Sequence, residues 1–381
     1  MSSWNKIWSK SLKNSWMKNW VEYGPTFFLI AVVLSLSVLT FIPEKSEFYV
    51  EEPNNILFDS ETNTLDLSSL TLKQKLAQMV ITYGKESNAE IYQNMLIGGV
   101  FIDARPSKSS FKRSIQKFKD KAVVPFFITL DLEGCLNPLE NFYNPPALKD
   151  ISSPQEAYLI GTETGKILTE LGFSLDFSPV VDLEDKIMGC RSFIGTPEEI
   201  ASKASSYISG LQEQGIMAVA KHYPGKTLDS YDSHQTVVQA VISADDLVPF
   251  REAMSKGVSA VMVSHLIVSG EVDSSAKPSA ISGELITGIK QEFSGLIITD
   301  EIGMLGLVSY YTPNPEVYTQ LFTDLFSAGH DLILNFDRSP ERINGMIEIV
   351  ERAVREGKIS EERIDNSVRK ILTAKGIIVV G

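Results

Sequence analysis

The chain is expected to be an α/β protein, a (β/α)8 barrel preceded by an N-terminal transmembrane helix. Three observations lead there. Eight short, near-continuous apolar runs recur along residues 71–381. Amphipathic segments of helical length lie between them, without runs of hairpin turns. A charge-free apolar tract stands near the start. Alternating strand and helix patterns with strands apolar on both faces specify a parallel sheet. Eight repeats over some three hundred residues fit a closed barrel. An open doubly wound sheet is the alternative, but the Gly-x-Gly-x-x-Gly and phosphate-loop patterns are both absent.

Residues 1–26 carry Lys6, Lys10, Lys13 and Lys18 against Glu22 and read as a basic cytoplasmic segment. Residues 27–43 contain the apolar tract Phe27–Ile42 and are expected to form a single transmembrane anchor. Lysines before it and Glu44, Glu47, Glu51 and Glu52 after it would place the bulk of the chain outside the cytoplasmic membrane. Residues 44–70 are polar and acidic and read as a stalk. From 71 to 381 the apolar runs are Gln78–Tyr83, Gly98–Ile102, Val124–Leu130, Leu175–Val181, Met217–His222, Ala260–Ile267, Leu296–Thr299 and Leu332–Asn335. Helices are expected over Pro154–Leu171, Pro197–Gln214, Ala244–Lys256 and Pro340–Glu356, among others.

Composition narrows the function. With 43% hydrophobic and 22% charged residues the chain is globular, and a net charge of −13 argues against a nucleic-acid partner. Cys135 and Cys190 are the only cysteines. They cannot make a disulfide scaffold; two buried free thiols are the simpler reading, and a single bridge is the alternative.

Polar residues gather where the runs end. Asp131 and Glu133 follow the third and Asp182 the fourth; His222 closes the fifth, His265 lies in the sixth, and Asp300 and Glu301 close the seventh. Barrel enzymes work at that rim. An acid at a strand end together with Asp232-Ser-His234 on a loop is equipment for nucleophilic and acid/base chemistry. Histidine donates and accepts protons near neutral pH, and Asp232, two residues away, can fix its tautomer. The plainer readings are a strand-end aspartate capping a helix and a surface turn.

The motifs resemble glycoside hydrolase family 3, in particular its single-domain bacterial β-N-acetylglucosaminidases. Lys221-His-Tyr-Pro-Gly225 is similar to K-H-F-P-G, Asp232-Ser-His234 to D-S-H, and Ile298-Thr-Asp300-Glu-Ile302 with Met304 to I-S-D-D-L-x-M. Phe177–Asp182 is similar to F-A-P-V-x-D, Arg191-Ser-Phe193 to R-S-F, and Ile359–Leu372 to the family's C-terminal helix. The resemblance covers roughly residues 70–378. It implies a retaining exo-β-N-acetylhexosaminidase without metal or cofactor, acting on a carbohydrate such as a wall-derived N-acetylglucosaminide. Asp300 would be the nucleophile and His234, steered by Asp232, the acid/base. Asp131, Arg191, Lys221 and His222 would bind the sugar, Arg191 at its N-acetyl group. His265 would shape the pocket floor and His330 would be structural.

Two departures stand out. The family loop D-x-E-G-G-x-V-x-R runs here Asp131-Leu-Glu-Gly-Cys-Leu-Asn-Pro-Leu139, so Cys135 replaces a glycine and Leu139 replaces a substrate-binding arginine. Lys226–Asp229 stands where H-G-D-T is usual. Since Cys135 and Cys190 follow adjacent strands, a bridge across the rim is a further expectation. The competing readings are a relative acting on another β-sugar, an impaired sugar-binding relative, and a metal hydrolase built on His222, Asp232 and His234.

Overall fold

The computed structural model describes residues 48–227, 236–311 and 316–381. Val50–Gly381 forms one compact unit. Its centre is a closed barrel of eight parallel strands: β1 (Val80–Tyr83), β2 (Gly99–Phe101), β3 (Phe127–Leu130), β4 (Leu175–Asp176), β5 (Met217–Tyr223), β6 (Ala260–Val263), β7 (Leu296–Glu301) and β8 (Leu332–Asn335). Each pairs with the next in sequence, and β8 closes on β1 through Ile333 opposite Val80. All eight apolar runs supply one strand each. They are buried almost end to end, because helices cover the outside and side chains fill the inside.

The outer helices begin where their caps dictate. Ser153 accepts the Glu156 N–H before Pro154–Leu171, and Thr196 forms a capping box with Glu199 before Pro197–Gln212. Proline at the first helical position suits both starts. These two helices meet at glycines. A Cβ on Gly161 would lie 2.3 Å from the Tyr207 carbonyl oxygen, and one on Gly210 would lie 2.4 Å from that of Tyr158. The C-terminal helix Glu361–Ala374 locks the base of the barrel. Asp331, buried at the start of β8, accepts from Ile297 N at 3.0 Å, Lys370 Nζ at 2.8 Å and Ser367 Oγ at 2.8 Å. His330 faces the Ala280 carbonyl at 2.7 Å, and burial pushes its imidazole down to about 3, in keeping with a structural role.

The expected fold class needs correction. Among the described residues no helix is long and apolar enough to cross a membrane. Helices of the unit are apolar on one face only: Pro154–Leu171, long enough to approach a span, carries Glu156, Glu163, Lys166 and Glu170. The expected anchor, 27–43, lies outside the described residues, as does the basic segment 1–26. Over the described residues the fold is the barrel with its covering helices and no membrane-spanning one, so the expected transmembrane helix and the single-pass membrane location are not supported. Within the expected stalk, Phe58–Asp59 and Thr64–Asp66 form a ribbon that pairs with Ile378–Val380, and Leu65, Leu67 and Leu70 are buried.

Candidate active site

Two strands break their ladders where the candidate residues leave them. The register between β5 and β6 shifts between Ala220 and Tyr223, and that between β7 and β8 shifts between Ile298 and Glu301. Such irregularities re-aim side chains at a barrel rim. Lys221, His222 and Asp300 sit in those intervals.

Asp300 and Asp131 both line a cleft of about 1080 Å³ at the C-terminal ends of the strands, with Glu301, Met304 and Phe336. Asp300 is half-buried, and its Oδ1 accepts the Glu301 N–H at 2.8 Å. Burial works to raise its carboxyl. The net displacement is nevertheless downward, because His222, His265, the Glu301 amide and Lys221 favour the anion. Asp300 is therefore charged at neutral pH, as a nucleophile must be.

His222 is buried and held from behind. Its Nδ1 lies 3.0 Å from Asp182 Oδ2, and its backbone N–H donates to the same oxygen at 3.2 Å. Asp182 Oδ1 accepts from Thr227 N at 3.2 Å. A carboxylate at Nδ1 places the proton there and leaves Nε2 as the outward nitrogen. The Lys221–His222 peptide is cis. His265, just past β6, reaches the Glu301 carbonyl at 2.8 Å through Nε2 and so braces the residue after Asp300.

The remaining candidates form one charged network. Lys221, 2% exposed, donates to Asp131 Oδ1 at 2.6 Å and also pairs with Glu133 Oε1. Arg191, 7% exposed, grips Glu133 with Nε and NH2, the latter at 2.9 Å. Burial acts to raise Glu133, but Lys221 and Arg191 hold it well below the usual carboxylate range. Asp131 is pushed the other way, up to about 6, by burial and by the charge of Glu133. Both cations thus spend donors on carboxylates rather than standing open at the rim. Cys135 and Cys190 are joined in a disulfide with Cα atoms 6.1 Å apart, which overturns the reading of two free thiols.

Of the expected site residues, Asp131, Arg191, Lys221, His222 and Asp300 thus meet at one end of the barrel. Asp232 and His234 lie outside the described residues. Leu139, where the resemblance expects an arginine, is fully buried. Sequence reading assigned no role to Glu133 or Asp182, which hold the three basic side chains. Their signal was present: each is an acid that follows one of the apolar runs, as Asp131 does. Among the described residues no group of three or more His, Cys, Asp or Glu could hold a metal ion, and of the three residues in the metal-hydrolase alternative only His222 is described.

The model of the glycosyl hydrolase family 3 N-terminal domain matches residues 71–374. β-Hexosaminidase LpqI of Mycobacterium tuberculosis is 26% identical over 332 residues, covering 81% of this chain and 83% of that protein. A family 3 β-N-acetylglucosaminidase structure from Paenibacillus superposes with a TM-score of 0.72 at 28% identity, covering 81% of this chain and 62% of that one. A family 3 glycosyl hydrolase structure from Mycobacterium smegmatis superposes with a TM-score of 0.74 at 26% identity, covering 82% and 99%.

Proposed function

The chain belongs to glycosyl hydrolase family 3 and is a glycoside hydrolase, and we propose that it is a retaining exo-β-N-acetylhexosaminidase. Its substrate would be a terminal β-linked N-acetylglucosamine, as in glycans released from a peptidoglycan wall. The relatives named β-hexosaminidase and β-N-acetylglucosaminidase support the sugar class. The observation that carries the reading is Asp300: a carboxylate at the end of β7 that lines the cleft and whose charge His222 and His265 favour.

In the first step an Asp300 oxygen attacks the anomeric carbon. The bond to the leaving oxygen breaks, and that oxygen takes a proton from His234, which Asp232 orients. In the second step water, giving its proton to His234, displaces Asp300 and restores the carboxylate. Asp131, Lys221, His222 and Arg191 would hold the sugar, with Nε2 of His222 accepting from a hydroxyl and the outer edge of Arg191 donating. The catalytic domain would be the barrel from residue 71 onward.

A chromogenic β-N-acetylglucosaminide offered beside the matching β-glucoside tests this. Release should favour the N-acetyl sugar, resist a chelator, and fall roughly 10⁴-fold or more in Asp300→Ala. An Asp300→Ala enzyme that keeps a tenth of the activity removes the nucleophile assignment. One observation favours a second reading, a family 3 glycosidase of other specificity: the buried Leu139 withdraws a donor from the sugar. Equal turnover of the two sugars would select it.

A further inference from the structure

We propose that Glu133 is a positioning residue, a buried anion that aims Arg191 and Lys221 at the sugar, and that the Cys135–Cys190 disulfide holds together the two loops from which this clamp is built. The inference rests on the N-acetylhexosaminidase reading, since it assigns Arg191 to the N-acetyl group.

Glu133 does not line the cleft, and its side chain is wholly buried. Both of its oxygens are occupied. Oε2 accepts from Arg191 Nε, while Oε1 accepts from Arg191 NH2 and Lys221 Nζ. A guanidinium held along its Nε edge presents its NH1 edge in one fixed direction, because the fork is planar and rigid. Lys221 is held at two points, by Glu133 and by Asp131, so its ammonium is fixed as well. Without Glu133 two nearly buried cations would lose their shared counter-charge and repel one another. Arg191 would then have no bidentate partner to set its plane.

The clamp spans two loops. Glu133 follows β3, and Arg191 follows β4 at the end of a loop gathered around Asp185. The Asp185 carboxylate accepts from the backbone N–H groups of Met188 at 2.8 Å, Cys190 at 2.9 Å and Arg191 at 2.8 Å. Cys135 lies two residues after Glu133, and Cys190 immediately precedes Arg191. The bridge therefore ties the backbone on each side of the ion pair. Gly134 between Glu133 and Cys135 has φ +76°, and a Cβ there would lie 2.7 Å from the Pro146 carbonyl oxygen, so the loop admits little else at that position. The cysteine that departs from the family motif thus falls where it can hold a charged pair in register.

The test is steady-state kinetics on the N-acetylglucosaminide and the glucoside, using wild type, Glu133→Gln, Glu133→Asp and the double variant Cys135→Ser/Cys190→Ser. Near-ultraviolet circular dichroism reports folding. Wild type is measured first: if it does not prefer the N-acetyl sugar, the substrate reading itself fails and takes the inference with it. Given that preference, Glu133→Gln should lose roughly 100-fold in kcat/KM on the N-acetyl sugar, mostly through KM, and far less on the glucoside. Glu133→Asp should recover part of the ratio, and the double serine variant should lose about tenfold. A merely structural role would lower both sugars together. A folded Glu133→Gln enzyme that keeps the wild-type ratio of the two sugars overturns the inference. If Glu133→Gln does not fold, the double serine variant decides: an unchanged ratio overturns the inference and a reduced one upholds it.

Discussion

Opening the Cys135–Cys190 bridge should cost stability as well as selectivity. The two cysteines are 55 residues apart in sequence, so the disulfide closes a loop of that length in the unfolded chain. In the chain-entropy description such a loop contributes about 4 kcal/mol at room temperature. A cooperative unit of roughly 330 residues, Val50–Gly381, gains about 0.7 kcal/mol/K of entropy on unfolding near its midpoint. The expected fall in Tm is therefore about 6 °C. Native contacts on either side of the bridge persist without it, namely the Asp185 cage and the Glu133–Arg191 pair, so the loss should come mainly from the unfolded state. Calorimetric melts of wild type and of Cys135→Ser/Cys190→Ser, each with and without a dithiol reductant, measure it. Reductant should bring wild type down to the variant and leave the variant unmoved. Intact mass after alkylation should show no modified thiol before reduction and two after it. A variant that melts within about 1 °C of oxidised wild type would refute the reasoning.

Other perturbations follow from the same structure. Asp176, at the end of β4, is raised well above the ordinary carboxyl value, first by burial and then by the charges of Asp131 and Glu133, although the Leu132 amide works against this. A raised folded-state value means that stability is fullest below the unfolded value near 4 and declines as pH climbs toward the folded value. Asp176→Asn should therefore raise Tm at pH 7, with the gain shrinking toward pH 4; a lower Tm at pH 7 contradicts this. Leu139→Arg, which restores the family residue, should lose roughly 3 kcal/mol or more in urea unfolding without raising N-acetylglucosaminide turnover, because the position is sealed from solvent. Gly161→Ala should destabilise by about 2 kcal/mol despite better helix propensity, since the new methyl meets the Tyr207 carbonyl rather than open space. Denaturant melts showing a stabilised variant would contradict that packing.

The sequence by itself determined the barrel and the identity of its rim. Apolar runs such as Leu332–Asn335 are local patterns, and local burial on both faces is enough to specify a parallel strand. Asp300 was legible for the same reason, as an acid placed where such a run stops. The anchor expected at residues 27–43 falls outside the described residues, and among those no helix is long and apolar enough to cross a membrane. What only the tertiary structure decided were relations between residues distant in the chain. The Arg191–Glu133 pair joins positions 58 apart and Lys221–Asp131 positions 90 apart. The disulfide needs two Cα atoms within about 7 Å of one another, which no spacing in sequence can promise. Nor could the pattern around Leu139 show that its side chain points inward. Such contacts depend on how adjacent βα loops fold back over the barrel mouth, and only the assembled strands fix that.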